Sequence, residues 1–209
     1  MEAGVDLGKA YFLTGRPGVG KTTVLTKIVD ELKREGINVG GMVTKEFRTN
    51  REREGFVIYN LSSGAKGWLA RKGLGYGSQV GKYHVCLDGL ESIGVNAILD
   101  AVATADVVVI DEVGPMELLS VHFHDAVLRA LESDKPVLGT IHYRATHPLI
   151  HTIKSKETQN FRGHSEKPKR TSKFNYPRNS ESIIKELRKT LYFSYAKMDS
   201  GLKHVHMRS

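Results

Sequence analysis

The chain has 209 residues, 40% hydrophobic, 26% charged and 8% aromatic, which excludes wholesale disorder and collagen-like repeats and predicts one domain with a terminal appendage. The net charge of +8 is unevenly placed: 14 of the 31 Lys/Arg and 5 of the 23 Asp/Glu lie in residues 151–209, so that stretch carries +9 and residues 1–150 carry −1. A single cysteine, Cys86, excludes an intramolecular disulfide, apolar runs such as Val107 to Ile110 fall far short of the ~18 residues of a membrane span, and the first residues carry acids where a secretion signal needs cations, so a cytoplasmic protein with no membrane contact is expected.

Ala10 to Thr14 is a short apolar run that ends at glycine, the pattern of a strand buried on both faces. From Lys21 to Glu35, Val24, Leu25, Ile28, Val29 and Leu32 recur at three and four, and Gly36 ends the pattern as a helix terminator. Ile37 to Thr44 reads as a second strand. Between Phe47 and Ala70, charge clusters, the β-rich Phe56 to Tyr59 and a Ser-Gly turn predict a hairpin excursion. Four glycines between Gly73 and Gly81 predict a loop, followed by a strand at Tyr83 to Leu87 and a helix at about Leu90 to Ala103.

Val107 to Asp111 reads as a central parallel strand with a carboxylate at its C-terminal end, the edge at which α/β sheets bind ligands. Helical spacing returns from Ser120 to Glu132, and Pro136 to Thr140 gives another strand. This alternation predicts an α/β fold, a three-layer sandwich with a mainly parallel sheet. The expected organisation is a principal domain over 1–155, a basic, aliphatic-poor loop or disordered insert over 156–178, and a C-terminal helix (Ser182 to Tyr192) with a loose tail over 179–209.

Gly15, Arg16, Pro17, Gly18, Val19, Gly20, Lys21 and Thr22 fit G-x-x-x-x-G-K-[ST], placed between a buried strand and a helix as that phosphate-binding motif requires. The glycines let consecutive amides turn around phosphates at the positive end of the following helix. Lys21 is positioned to reach the β- and γ-phosphates and Thr22 to place its hydroxyl on Mg²⁺. Asp111 suits the same hard cation, and Glu112, next to it, is the candidate that polarises a water for attack on the γ-phosphate.

Three motifs, Gly15 to Thr23, Gly41-Met42-Val43-Thr44-Lys45-Glu46-Phe47-Arg48 and Ile110-Asp111-Glu112-Val113-Gly114-Pro115-Met116-Glu117-Leu118, together resemble the thermophile and cancer-related nucleoside-triphosphatase family. Supporting pieces in the family's order include Gly81-Lys82-Tyr83 and Leu138-Gly139-Thr140, and the resemblance covers roughly Lys9 to Ser155. It implies a RecA-like P-loop fold and slow, base-tolerant, Mg²⁺-dependent hydrolysis of ATP, GTP, CTP, UTP and TTP to diphosphates. Carried over by position, the nucleotide contacts are Gly15 to Thr22 and the segment Val107, Val108, Val109, Ile110, Asp111, Glu112, Val113 and Gly114.

Glu46 and Arg48 either face the phosphates or are surface charges, and Arg16, Arg48, Arg71 and Arg144 compete as a charge-stabilising finger. Tyr176-Pro177-Arg178-Asn179 resembles, imperfectly, the family's closing turn, and the basic insert before it departs from the family pattern. Two other function classes stay open. One is a small-molecule or nucleotide kinase on the same fold. The other is a nucleic-acid-stimulated ATPase that uses the basic C-terminal region, with Phe161, Phe174 and Tyr176 as stacking residues, although a solvated loop is the plainer account of that charge. The oligomeric state is not encoded in any of these motifs.

Overall fold

The computed structural model describes residues 10–161 apart from Val19, with side chains through Lys154. Eight strands form one sheet: β1 (Ala10–Gly15), β2 (Val39–Thr49), β3 (Glu52–Asn60), β4 (Lys66–Arg71), β5 (Gln79–Val80), β6 (Tyr83–Val85), β7 (Val107–Val113) and β8 (Val137–His142). Their spatial order is β1-β8-β7-β2-β3-β4-β6-β5. The first four pair in parallel, with Phe12 opposite Gly139, Ile110 opposite Gly139 and Met42 opposite Ile110. The remaining pairings are antiparallel.

The sheet is therefore mixed: parallel pairing holds in the half that carries the motifs, and an antiparallel extension replaces the single hairpin expected between Phe47 and Ala70. β2 belongs to both halves. It runs to Thr49, five residues past the expected end, because β3 pairs with it through Met42 to Thr49. A two-residue turn, Asn50 and Arg51 with φ of 50° and 67°, closes that hairpin, as the right-handed twist of two strands favours.

The helices are α1 (Lys21–Arg34), α2 (Leu87–Gly89), which continues through a π-helical stretch (Leu90–Val95) into α3 (Asn96–Thr104), α4 (Val121–Glu132) and α5 (Pro148–Phe161). Alternation along the strands divides the core in two. Tyr11, Val107, Val109 and Leu138 pack with Leu25, Ile28 and Leu32 of α1. Phe12, Val108, Ile110 and Val137 pack with Ile98, Phe123, Leu131 and Ile150 from the helices after β6. Every aliphatic residue of β7 is thus buried, which explains its unbroken valines.

Ser120, expected to open α4, is its N-cap. Its Oγ accepts from the Phe123 amide at 3.1 Å and donates to Glu91 Oε1 at 2.7 Å, which ties α4 to the π-helical stretch. α5 continues six residues into the stretch expected to begin a loop at 156. The rest of the basic segment, the Ser182 to Tyr192 helix and the Tyr176 to Asn179 turn lie outside the described residues.

One position shows how closely the parallel half is packed. A Cβ built on Gly139 would lie 2.5 Å from the Ile110 carbonyl oxygen and 2.6 Å from Phe12 Cε1, so β8 is held against β7 and the Phe12 ring only because residue 139 has no side chain. Gly139→Ala is expected to destabilise the protein by roughly 1–3 kcal/mol through this overlap, read as a lower urea midpoint with an unchanged slope.

Candidate nucleotide site

β1 ends at Gly15, and the chain turns through Arg16 to Gly20 before α1 begins at Lys21. Gly18 and Gly20 have φ of 82° and 94°, values that a side chain would oppose, and a helix can open there directly after the strand. Val24 N–H to Gly20 O, 3.0 Å, is the opening hydrogen bond of α1, and Gly20 supplies no side-chain cap. The opening amides of α1 are therefore left for an anion, in the partial positive field of the helix. Val19 lies outside the described residues.

β7 delivers the acids to the same edge. Asp111 is 1% exposed and meets α1 through Thr22: Thr22 Oγ1 donates to Asp111 Oδ1 at 3.4 Å, across 89 positions of sequence. Thr140, in β8, donates to the same oxygen at 2.6 Å. Asp111 Oδ2 is buried with no hydrogen-bond partner. Burial pushes the Asp111 carboxyl above the usual carboxylate range, and the Thr140 and Thr22 hydroxyls, the Thr44 backbone N–H and Lys21 pull it back.

Lys21 Nζ donates to the Gly15 carbonyl at 3.3 Å and lies 3.7 Å from Glu112 Oε1, an ion pair too long to be a hydrogen bond. Both are partly covered, with side-chain exposures of 11% and 27%. Burial also raises the Glu112 carboxyl, opposed chiefly by the charges of Lys21 and His142, while Asp111 adds to the rise. The loop lysine, its following threonine and both acids thus converge at the C-terminal edge of the parallel strands.

The structure separates the remaining expected contacts. Val107, Val108, Val109, Ile110 and Val113 are 0% exposed in the core, so their side chains cannot line a nucleotide site. Their contribution is to carry Asp111, Glu112 and Gly114 to the edge. Glu46 accepts from Arg48 Nη2 at 2.6 Å and also pairs with Arg53, so its carboxylate is held between two guanidiniums of the β2–β3 ribbon. Arg71 sits 5.0 Å above the Trp68 ring, which meets Phe47 edge-on at 5.1 Å. Arg16 and Arg144 are exposed.

Two residues quoted only as parts of motifs have larger roles in the geometry. Thr140 is one, and its signal was a hydroxyl ending an apolar strand on the same edge as Asp111. Glu117 is the other: it is 5% exposed, and its Oε2 lies 3.1 Å from where a Cβ on Gly114 would stand. Burial pushes its carboxyl up to about 8, reinforced by the charges of Glu112 and Asp111 and opposed by backbone N–H groups of Glu117 and Gly114.

These features, a phosphate loop opening a helix beside a parallel strand that ends in acid, define a P-loop nucleotide-binding protein of the α/β class. Comparison with known proteins narrows the class. A family described as NTPase matches residues 10–166. The nucleoside-triphosphatase THEP1 of Thermofilum pendens is 56% identical over 136 residues, 65% of this chain and 75% of that protein. Its counterpart in Methanosarcina acetivorans is 51% identical over 138 residues, 66% and 78% of the respective chains.

Among solved structures, THEP1 from the hyperthermophile Aquifex aeolicus superposes with a TM-score of 0.61 at 34% identity, covering 69% of this chain and 83% of that one. A human cancer-related nucleoside triphosphatase superposes with a TM-score of 0.58 at 36% identity, covering 73% and 84%. The chain belongs to the NTPase family and is a nucleoside-triphosphate hydrolase.

Glu117 makes stability depend on pH. Its folded value, about 8, stands above the ordinary 4.5, so the unfolded chain loses this proton first and folding is penalised increasingly as pH rises from 4.5 to 8. Below 4.5 there is no penalty. Glu117→Gln, which keeps the shape without the proton, is expected to match wild type near pH 4.5 and to exceed it by roughly 3–5 kcal/mol at pH 8, measured by urea unfolding across that range.

Proposed function

We propose that this protein hydrolyses nucleoside triphosphates to diphosphates and phosphate with broad base tolerance, using Mg²⁺ held by Thr22 and Asp111. The observation that carries the reading is the meeting of four residues from two distant motifs: Thr22 on Asp111, and Lys21 on Glu112. The donor set fits a hard cation, since a hydroxyl and a carboxylate stand together and Asp111 Oδ2 is buried without a hydrogen-bond partner. When bound, such a cation neutralises charge on the β- and γ-phosphate oxygens.

The chain's own groups do the rest. The backbone from Gly15 to Gly20 and the opening amides of α1 cradle the phosphates, Lys21 reaches the β- and γ-phosphates, and the segment from Asp111 to Gly114 closes the other side. Glu112 is partly buried, and its raised carboxyl affinity for protons suits an acceptor. It orients a water and accepts its proton as the water oxygen bonds to the γ-phosphorus and the bond to the β-phosphate bridging oxygen breaks. Recognition through phosphates rather than the base supports tolerance of ATP, GTP, CTP, UTP and TTP.

The same reading assigns residues 1–155 to a RecA-like, three-layer P-loop domain, 156–178 to a basic insert and 179–209 to a C-terminal appendage, in a cytoplasmic protein. Among the described residues no helix is long and apolar enough to cross a membrane.

Phosphate release from a panel of the five nucleotides, with and without Mg²⁺, tests the reading. Turnover without any acceptor is expected from wild type, with a loss of roughly 10²–10⁴-fold in Glu112→Gln and a comparable loss in Lys21→Ala. Normal turnover in Glu112→Gln would remove it from the water, and release that requires an added hydroxyl acceptor would make the protein a kinase.

A further inference from the structure

The two oxygens of Asp111 are in different circumstances. Oδ1 accepts two hydroxyls, Oδ2 has no partner in hydrogen-bonding geometry, and the Thr44 backbone N–H of β2 stands near the carboxylate. The two hydroxyls differ as well. The Thr22 contact is long at 3.4 Å, and in the proposed reading that hydroxyl belongs to the cation. The Thr140 contact is 2.6 Å, within the range of a hydroxyl bonded to an ionised carboxylate.

Thr140 is itself 0% exposed, so its hydroxyl is removed from water and the Asp111 bond offsets that desolvation. Two features fix its direction. A β-branched side chain has few rotamers on a strand, and Gly139 lets β8 approach both Ile110 and Phe12, holding residue 140 beside the end of β7.

We infer that Thr140 is a positioning residue for cation binding: its hydroxyl anchors Asp111 Oδ1 and leaves Oδ2 free to ligate a divalent cation. The inference rests on the proposed assignment of Asp111 and Thr22 to that cation. The hydrogen-bond partner of a metal ligand sets the ligand's orientation and basicity, and its removal typically lowers metal affinity about 10–100-fold. Thr140 is fully buried and acts through Asp111 Oδ1, so its effect falls on cation affinity rather than on the chemical step.

The test is a calorimetric Mg²⁺ titration of the full chain saturated with a non-hydrolysable ATP analogue, which needs no turnover. Thr140→Val, nearly isosteric but without the hydroxyl, is expected to raise half-saturation by about 10–100-fold, with turnover at saturating Mg²⁺ largely retained. Thr140→Ser is expected to restore the wild-type titration. Thr140→Ala carries the same expectation as the valine variant, so the outcome does not depend on the folding of one protein.

An unchanged titration in the valine or alanine variant overturns the inference. So does a serine variant shifted as far as valine, because the methyl group rather than the hydroxyl would then matter. Asp111→Asn, run alongside, separates the two levels of the argument. If it titrates like wild type, the cation assignment itself fails. If it is impaired while Thr140→Val and Thr140→Ala are not, only the role of Thr140 fails.

Discussion

A carboxylate at the end of an apolar strand is the constraint around which this molecule is arranged. Asp111 follows four aliphatic residues that are fully buried, and it is itself almost without solvent. Such a group is tolerated only with partners. Thr140 comes from β8, Thr22 from α1, and the Thr44 amide from β2, so the three neighbours of β7 each contribute to it. The parallel half of the sheet is thus the scaffold that brings these partners to one carboxylate, and the phosphate loop is held in place by the same contact.

The turn after β7 carries a second buried acid of opposite character. Asp111 has hydroxyl partners that favour its charge, whereas Glu117 sits under Gly114 with two nearby acids that oppose ionisation. One sequence segment therefore contains a carboxylate raised by burial but drawn back by hydroxyl partners, a partly buried one beside Lys21, and one held neutral at ordinary pH. The environments diverge over six residues because the chain leaves β7 after Val113 and folds back toward the core by Glu117.

Much of this was legible in the sequence, for reasons that differ by element. α1 was visible because its five core residues repeat on one helical face, and the loop before it because its chemistry is confined to eight adjacent residues. Asp111 and Glu112 were visible as acids ending a valine strand. The contact of Thr140 with Asp111 was not, because it joins positions 29 apart that share only a sheet edge. The extension of β2 to Thr49 was hidden because Lys45 to Thr49 are all exposed and owe their conformation to pairing with β3, not to burial. The burial of Val107 to Ile110 was not part of the resemblance, which transfers positions and not the direction in which side chains point. α5 continues into the stretch read as a loop from 156 because apolar spacing marks the part of a helix that packs, and residues 156–160 carry no such spacing.

The hairpin made by β2 and β3 has a consequence for how the fold can vary. The register of β2 against β7 is set by Val39 to Met42, and the turn at Asn50 and Arg51 lies at the far end of the same strand. Residues added or removed at that turn lengthen or shorten a ribbon whose root is already fixed. Asp111 and the phosphate loop keep their places whatever the ribbon's length. The hairpin tip is accordingly the point at which this architecture accepts added length while the edge that carries Asp111 stays as it is.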